Sequence, residues 1–251
     1  MSTPSELGSK ARTYTGEVWR IAEDQAFSAT ARVTASNENQ ARLEELLDAT
    51  KPPWPADTAG YDFLISTPFR YSPYPNGSRF RRANQPAGVY YASEDVRTAI
   101  AEMAFYRLLF FLSSPSAARP RTPVAYTAFT VKVETDKLID LTLRPLDRRR
   151  DEWTNPTNYN ACQELADRAR AAGIEAIRYE SVRDPSHSAN LAILKITAIT
   201  TRRPGKRQTW HIFVRDDRVQ ARRESPRDTI EFPIVIWAND ARLNSVPPSV
   251  P

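Results

Sequence analysis

Gly88-Val-Tyr-Tyr-Ala-Ser-Glu-Asp-Val-Arg-Thr-Ala-Ile-Ala-Glu-Met-Ala-Phe-Tyr-Arg-Leu-Leu-Phe-Phe-Leu112 passes from a short apolar run into a helix. Ser93 offers an N-cap oxygen, Glu94 and Asp95 put negative charge beside the exposed first-turn amides, and neither proline nor glycine follows before Ser114. The helix is therefore expected to begin close to Ser93. Val96, Ala99, Ile100, Met103, Ala104 and Arg107 recur at the 3.6-residue spacing of one stripe, and Phe105, Leu109 and Phe110 make the second half apolar on the other side. Glu102 falls off the stripe, with Thr98, Ala99, Phe105 and Tyr106 as its neighbours one turn away. A carboxylate in such surroundings needs a cation or a substrate, because burying it unpaired is costly. Arg70, Arg79, Arg81 and Arg82 are the cations nearest in sequence. The plainer alternative is a solvated glutamate in a surface ion pair.

Upstream, Glu17 to Ile21 reads as a strand with Trp19 packed and Arg20 facing the other way. Asn37 and Gln40 have capping-box spacing, and Leu43, Leu46 and Leu47 are expected to form the buried face of a helix that Pro52 and Pro53 stop. Tyr61 to Ser66 reads as a short strand leading to Arg70. Prolines 68, 73 and 75 then keep the following stretch as an ordered turn.

Downstream, Val124 to Val133 and Lys137 to Leu141 read as two strands. Tyr159, Cys162, Leu165, Ala166 and Ala169 mark an amphipathic helix ended by Gly173, with Cys162 an inert core residue. Ile174 to Tyr179 and Leu191 to Ile196 read as buried strands, with Ser181, Arg183 and Asn190 on the loop between them. Thr209 to Val214 and Arg218 to Arg222 form a hairpin, and Ile230 to Trp237 adds an edge strand. Strands outnumber helices and their connections are of hairpin length, so the expected architecture is α+β, mostly antiparallel twisted sheet with a few helices.

The chain has 251 residues, of which 41% are hydrophobic, enough for one large domain. That domain is expected over 14–242, with a helical insert at 36–60 and irregular tails at 1–13 and 243–251. No run of eighteen apolar residues occurs, and the first thirteen residues are polar, so no membrane span or secretion signal is expected. Cys162 is the only cysteine, which excludes an internal disulfide and fits a reducing cytoplasm. His187 and His211 do not have zincin spacing, and no metal site is expected. The seven glycines never cluster into a Rossmann fingerprint or a P-loop, so a dinucleotide would have to be held by arginine side chains. The net charge is +5, but acids flank the run Arg148 to Arg150, which reads as solvated loop, and no nucleic-acid partner is expected.

Arg79 in Gly-Ser-Arg-Phe, then Gly88-Val-Tyr-Tyr-Ala, Ala99-Ile-Ala-Glu102, Tyr179-Glu-Ser181-Val-Arg183 and Asn190-Leu-Ala-Ile resemble, in that order, the RES domain family. The resemblance runs from about Trp19 to at least Ile193. It implies a fold like that of the ADP-ribosyltransferase toxins and an activity that consumes NAD as substrate, with no separate cofactor. It implies a bacterial toxin blocked by a partner antitoxin of the Xre type, and leaves the oligomeric state open, a homodimer included. Carried over residue by residue, it makes Glu102, Arg79 and Ser181 catalytic. Arg20, Arg70, Tyr71, Tyr91 and Asn190 would bind NAD. Either Arg20 in Trp19-Arg20 or Arg70 in Phe69-Arg70-Tyr71 can be the opening arginine, and the sequence does not choose between them. Of Tyr90 and Tyr91, alternation turns one toward the cleft, and the family spacing favours Tyr91.

Breaking the nicotinamide-ribose bond builds oxocarbenium-like charge on the sugar, which a carboxylate such as Glu102 would offset. Three readings follow: an NAD glycohydrolase or phosphorylase toxin, a mono-ADP-ribosyltransferase acting on a protein, and a basic RNA-binding or nucleolytic module.

Overall fold

A computed structural model describes residues 4–23, 36–70, 75–114 and 122–244. In chain order these carry α1 (Pro4–Gly8), β1 (Arg12–Glu23), α2 (Asn37–Ala49), α3 (Phe63–Ser66), β2 (Tyr90–Ser93), α4 (Val96–Ser113), β3 (Val124–Asp140), α5 (Arg150–Trp153), α6 (Asn160–Ala171), β4 (Ala176–Glu180), β5 (Ala189–Ile193), β6 (Arg207–Val214), β7 (Arg218–Arg223), β8 (Asp228–Pro233) and α7 (Ala241–Asn244). The fold is α+β. Its strands form one sheet in the order β1-β2-β5-β4-β3-β6-β7-β8, antiparallel except where β3 meets β4.

β3 does most to set the architecture. Val131, Val133 and Thr135 are buried while Lys132, Glu134 and Asp136 are exposed, so the two-residue alternation runs on through the polar stretch. The two strands expected here are therefore one, of 17 residues. β1 lies along it from Glu23↔Tyr126 to Arg12↔Leu138, and this extra pairing closes β1, β2, β5, β4 and β3 into a ring. β6, β7 and β8 continue outward, with β8 at the open edge. The sheet is thus mixed and partly closed.

Alternation sorts the side chains onto two faces. Val18, Tyr90, Ala92, Phe129, Val131, Leu191 and Ile193 make one buried cluster. The opposite face carries α4 over Ile21, Tyr126, Trp210 and Ala221, and α6 over Ile177, Tyr179 and Ala192. Burying eight side chains, α4 is apolar almost all round, a wider contact than the single stripe expected. Fully burying each of its large residues, such as Ile100, Phe105 and Leu108, is worth about 1.5–3 kcal/mol.

Several local expectations need correction. Ser93 ends β2, and the cap of α4 is Asp95, whose carboxylate accepts from Arg97 N at 2.7 Å. Tyr61 to Ser66 is not a strand: the Asp62 carboxylate accepts from Leu64 N at 2.9 Å and starts α3 instead. α2 is capped by Ser36, which accepts from Asn39 N at 3.2 Å, while the side chains of Asn37 and Gln40 lie outside the described residues. Leu46 and Leu47 of α2 are exposed, so the leucines do not form a buried face. Asn190 lies within β5 and not on a loop. Residues 4–8, expected to be irregular, form α1 and bury Leu7 against the α6 cluster. The tail from Val246 and the turn at Pro73 lie outside the described residues.

Candidate active site

The site lies in the seam between α4 and α6, on the face of the sheet that both helices cover. Ser93 and Asn190 face each other across β2 and β5, and Asn190 also pairs with Tyr179 across β5 and β4. Directly opposed residues share a face, so the three point into the seam together. Glu102 reaches them from α4. Its Oε1 accepts from Ser181 Oγ at 2.7 Å and from Asn190 Nδ2 at 2.8 Å.

Both donors are themselves fixed. Asn190 Oδ1 accepts from Ser93 Oγ at 2.6 Å, so the amide cannot turn over without losing a bond. Ser181 is fully buried, and its Oγ accepts from the backbone N–H groups of Arg183 and Asp184 at 3.2 and 3.1 Å, which leaves its one proton for Glu102. Asp184 in turn accepts from Thr98 Oγ1 at 2.7 Å, one turn before Glu102 on α4. The partners of Glu102 are thus neutral, and among the described residues none of Arg70, Arg79, Arg81 and Arg82 bonds to it, so of the cation or substrate expected there the cation is not among its partners. Among the described residues nothing bonds to Oε2, so one carboxylate oxygen is held and the other is available.

Arg79 comes from a turn entered through Gly77, whose positive φ of 61° suits glycine. Tyr91 holds this turn: its hydroxyl pairs with Ser78 Oγ at 2.9 Å and accepts from Phe80 N at 3.0 Å. The Arg79 guanidinium is buried, donates to Trp153 O at 2.6 Å and lies 4.6 Å from the centre of the Tyr159 ring. Among the described residues it has no carboxylate partner.

Tyr179 connects the two halves. Burial first, then the charge of Glu102 and the nearby Tyr91, push its phenol well above the ordinary range, while Arg79 acts in the opposite sense. It therefore stands protonated within electrostatic reach of both Glu102 and Arg79. Tyr159 behaves differently. Burial opposes its ionisation, but Arg79, Arg242, the hydrogen bond with Tyr106 and Arg183 outweigh it and lower its pKa.

Glu102, Ser181 and Asn190 are thus bonded to one another, and the turn of Arg79 adjoins them through Tyr179, which pairs with Asn190 and meets the Phe80 ring edge-on at 4.8 Å, while Tyr91 braces that turn. Arg20 and Arg70 are elsewhere. Arg20 shares the other face of the sheet with Tyr90, its guanidinium 4.7 Å from that ring and its Nη1 on Tyr91 O at 2.8 Å. Arg70 is buried against Asp48, at 2.6 and 3.1 Å, and Pro52 O at 2.8 Å, with Trp54 stacked on it. Tyr71 lies outside the described residues. Sequence reasoning gave no site role to Tyr179, Tyr159, Tyr106, Thr98 or Asp184. Tyr179 carried a usable signal: two positions before Ser181 at the end of a strand, it faces the same way.

A family model described as RES domain matches residues 52–214, more than half of the chain. No curated protein matches. Among solved structures, a chain from the crystal structure of the M. tuberculosis MbcT-MbcA toxin-antitoxin complex is similar at 11% identity and a TM-score of 0.45, over 94% of this chain and 95% of that one.

Proposed function

The chain belongs to the RES domain family, and from that premise we propose that it is a toxin that cleaves the nicotinamide-ribose bond of NAD and is neutralised by an Xre-type antitoxin. What supports the chemistry is the pairing of a carboxylate that has one oxygen held and one available with a buried guanidinium that lacks an acid of its own. A buried cation without a counter-ion is costly, and an anionic ligand relieves the cost. The diphosphate of NAD is such a ligand for Arg79.

With the diphosphate at Arg79, the nicotinamide ribose reaches toward Glu102. The free Oε2 accepts from a ribose hydroxyl and offsets the positive charge that grows on the sugar as nicotinamide leaves. Ser181 and Asn190 keep the carboxylate oriented, so little reorganisation is needed as charge develops. Tyr179, kept protonated, contributes a neutral phenol within electrostatic reach of both charged groups. Bond breaking leaves an ADP-ribosyl cation that water or inorganic phosphate captures. The toxin and antitoxin parts of the proposal rest on family membership, as does an arrangement like that of the ADP-ribosyltransferases.

The test is purified protein with NAD, following free nicotinamide. Release with water or phosphate as the only acceptor is expected. Release only when a protein acceptor is added identifies a transferase, and none under any acceptor condition overturns the proposal.

A further inference from the structure

We propose that the segment from Trp237 to Asp240, outside the stretch matched by the family model, is a positioning element that fixes the Ser181–Asp184 loop and so aims the serine hydroxyl at Glu102. Trp237 Nε1 donates to Arg183 O at 2.8 Å in a buried contact. Asp240 is 1% exposed, and it pairs with Arg183, 3% exposed, at 2.8 Å. Arg183 is thereby gripped at its backbone carbonyl and at its guanidinium by one short segment, while its N–H contacts Ser181 Oγ.

The grip extends to the helix that carries Glu102. The Arg183 guanidinium lies 3.8 Å from the centre of the Phe105 ring, three residues beyond Glu102, and Trp237 meets the same ring edge-on at 5.5 Å. Arg183 Nη2 also donates to Pro156 O at 2.6 Å, fixing the loop that leads to Tyr159. A buried ion pair is a poor source of net stability, because desolvation offsets the attraction. What Asp240 and Arg183 supply is a set geometry around a hydroxyl that must stay in place. A second cation, Arg242, shares Asp240 at 2.7 Å and secures the acid from the other side. Trp237 and Asp240 are positioning residues, one contact removed from the site.

The kinetic part of the test rests on the NAD-cleaving reading, but the exchange part does not. Two variants are used, Trp237→Phe, which removes the N–H together with the five-membered ring and leaves a six-membered aromatic ring, and Asp240→Asn, with Lys206→Met as a control at the exposed ion pair with Glu17. Amide hydrogen exchange is followed across 181–184, and kcat and KM for NAD are measured separately. Exchange at Arg183 and Asp184 is expected to accelerate in both variants and not in the control, with kcat falling about tenfold to a hundredfold and KM little changed. If Asp240→Asn fails to fold, Trp237→Phe decides. Unchanged exchange overturns the inference, as does unchanged kcat when the wild type turns over NAD. A wild type inactive on NAD removes the kinetic arm and the proposed function, and exchange alone then decides.

Discussion

Replacing Glu102 separates its chemistry from its part in the fold, because two substitutions have different structural costs. In Glu102→Ala the Ser181 hydroxyl and the Asn190 amide lose their acceptor. Both residues are almost wholly buried, at 0% and 2% exposure, while Glu102 itself is partly exposed, so water only partly takes the place of the carboxylate. An unsatisfied buried donor costs about 1–3 kcal/mol, so the alanine variant is expected to lose roughly 2–6 kcal/mol of stability. Glu102→Gln keeps an oxygen for both donors. Its cost is the step from charge-assisted to neutral bonds, about 1 kcal/mol for each, partly returned because no charge has to be kept away from bulk water. Activity should follow a different order. Both variants lack the negative charge that meets the oxocarbenium ion, so both are expected to lose at least about a hundredfold in nicotinamide release. Urea unfolding and chromatographic nicotinamide detection read the two effects separately. A glutamine variant that turns over at the wild-type rate refutes the electrostatic role. An alanine variant as stable as the glutamine one refutes the account of Ser181 and Asn190.

Three further outcomes follow. Arg79→Met should raise KM for NAD about tenfold or more by removing the charge-assisted contact to the diphosphate, and steady-state kinetics would show an unchanged KM if that role is wrong. Arg70→Met should lower stability by releasing Asp48, Pro52 and Trp54 while leaving KM and kcat as they are, and a kinetic defect in a folded variant would return Arg70 to the site. Burial raises the pKa of Asp184, but its bonds from Thr98 and Ser186 outweigh that and hold it below the ordinary aspartate value of about 3.9. Its contribution to stability is therefore present above that value and lost as pH falls through the lower folded value, so melting temperature should drop on that acid limb and drop less in Asp184→Asn.

Much of the fold was legible where periodicity and burial agree. The helix around Glu102, the Cys162 helix stopped by Gly173, and the hairpin of β6 and β7 all follow from local pattern. Closure of the ring was not legible, because it depends on β1 lying along thirteen residues of a strand more than a hundred positions away, and no local signal encodes that pairing. The stretch Tyr61 to Ser66 misled in the other direction. A single carboxylate, Asp62, turned an apolar stretch that could have been a strand into a helical turn. In the site, the ordered motifs singled out Glu102, Ser181, Asn190 and Arg79, but the expectation of a cation or a substrate beside Glu102 did not anticipate the neutral donors that hold its Oε1. The choice between Arg20 and Arg70 was beyond sequence reasoning, since only packing reveals that Tyr90 holds one and Asp48 the other.

The most direct measurement of the central idea is a crystal structure of Glu102→Gln soaked with NAD. The account predicts a diphosphate against the Arg79 guanidinium and a nicotinamide-ribose hydroxyl within hydrogen-bond distance of residue 102. NAD bound on the Arg20 and Tyr90 face, or no NAD at saturating concentration, would contradict it.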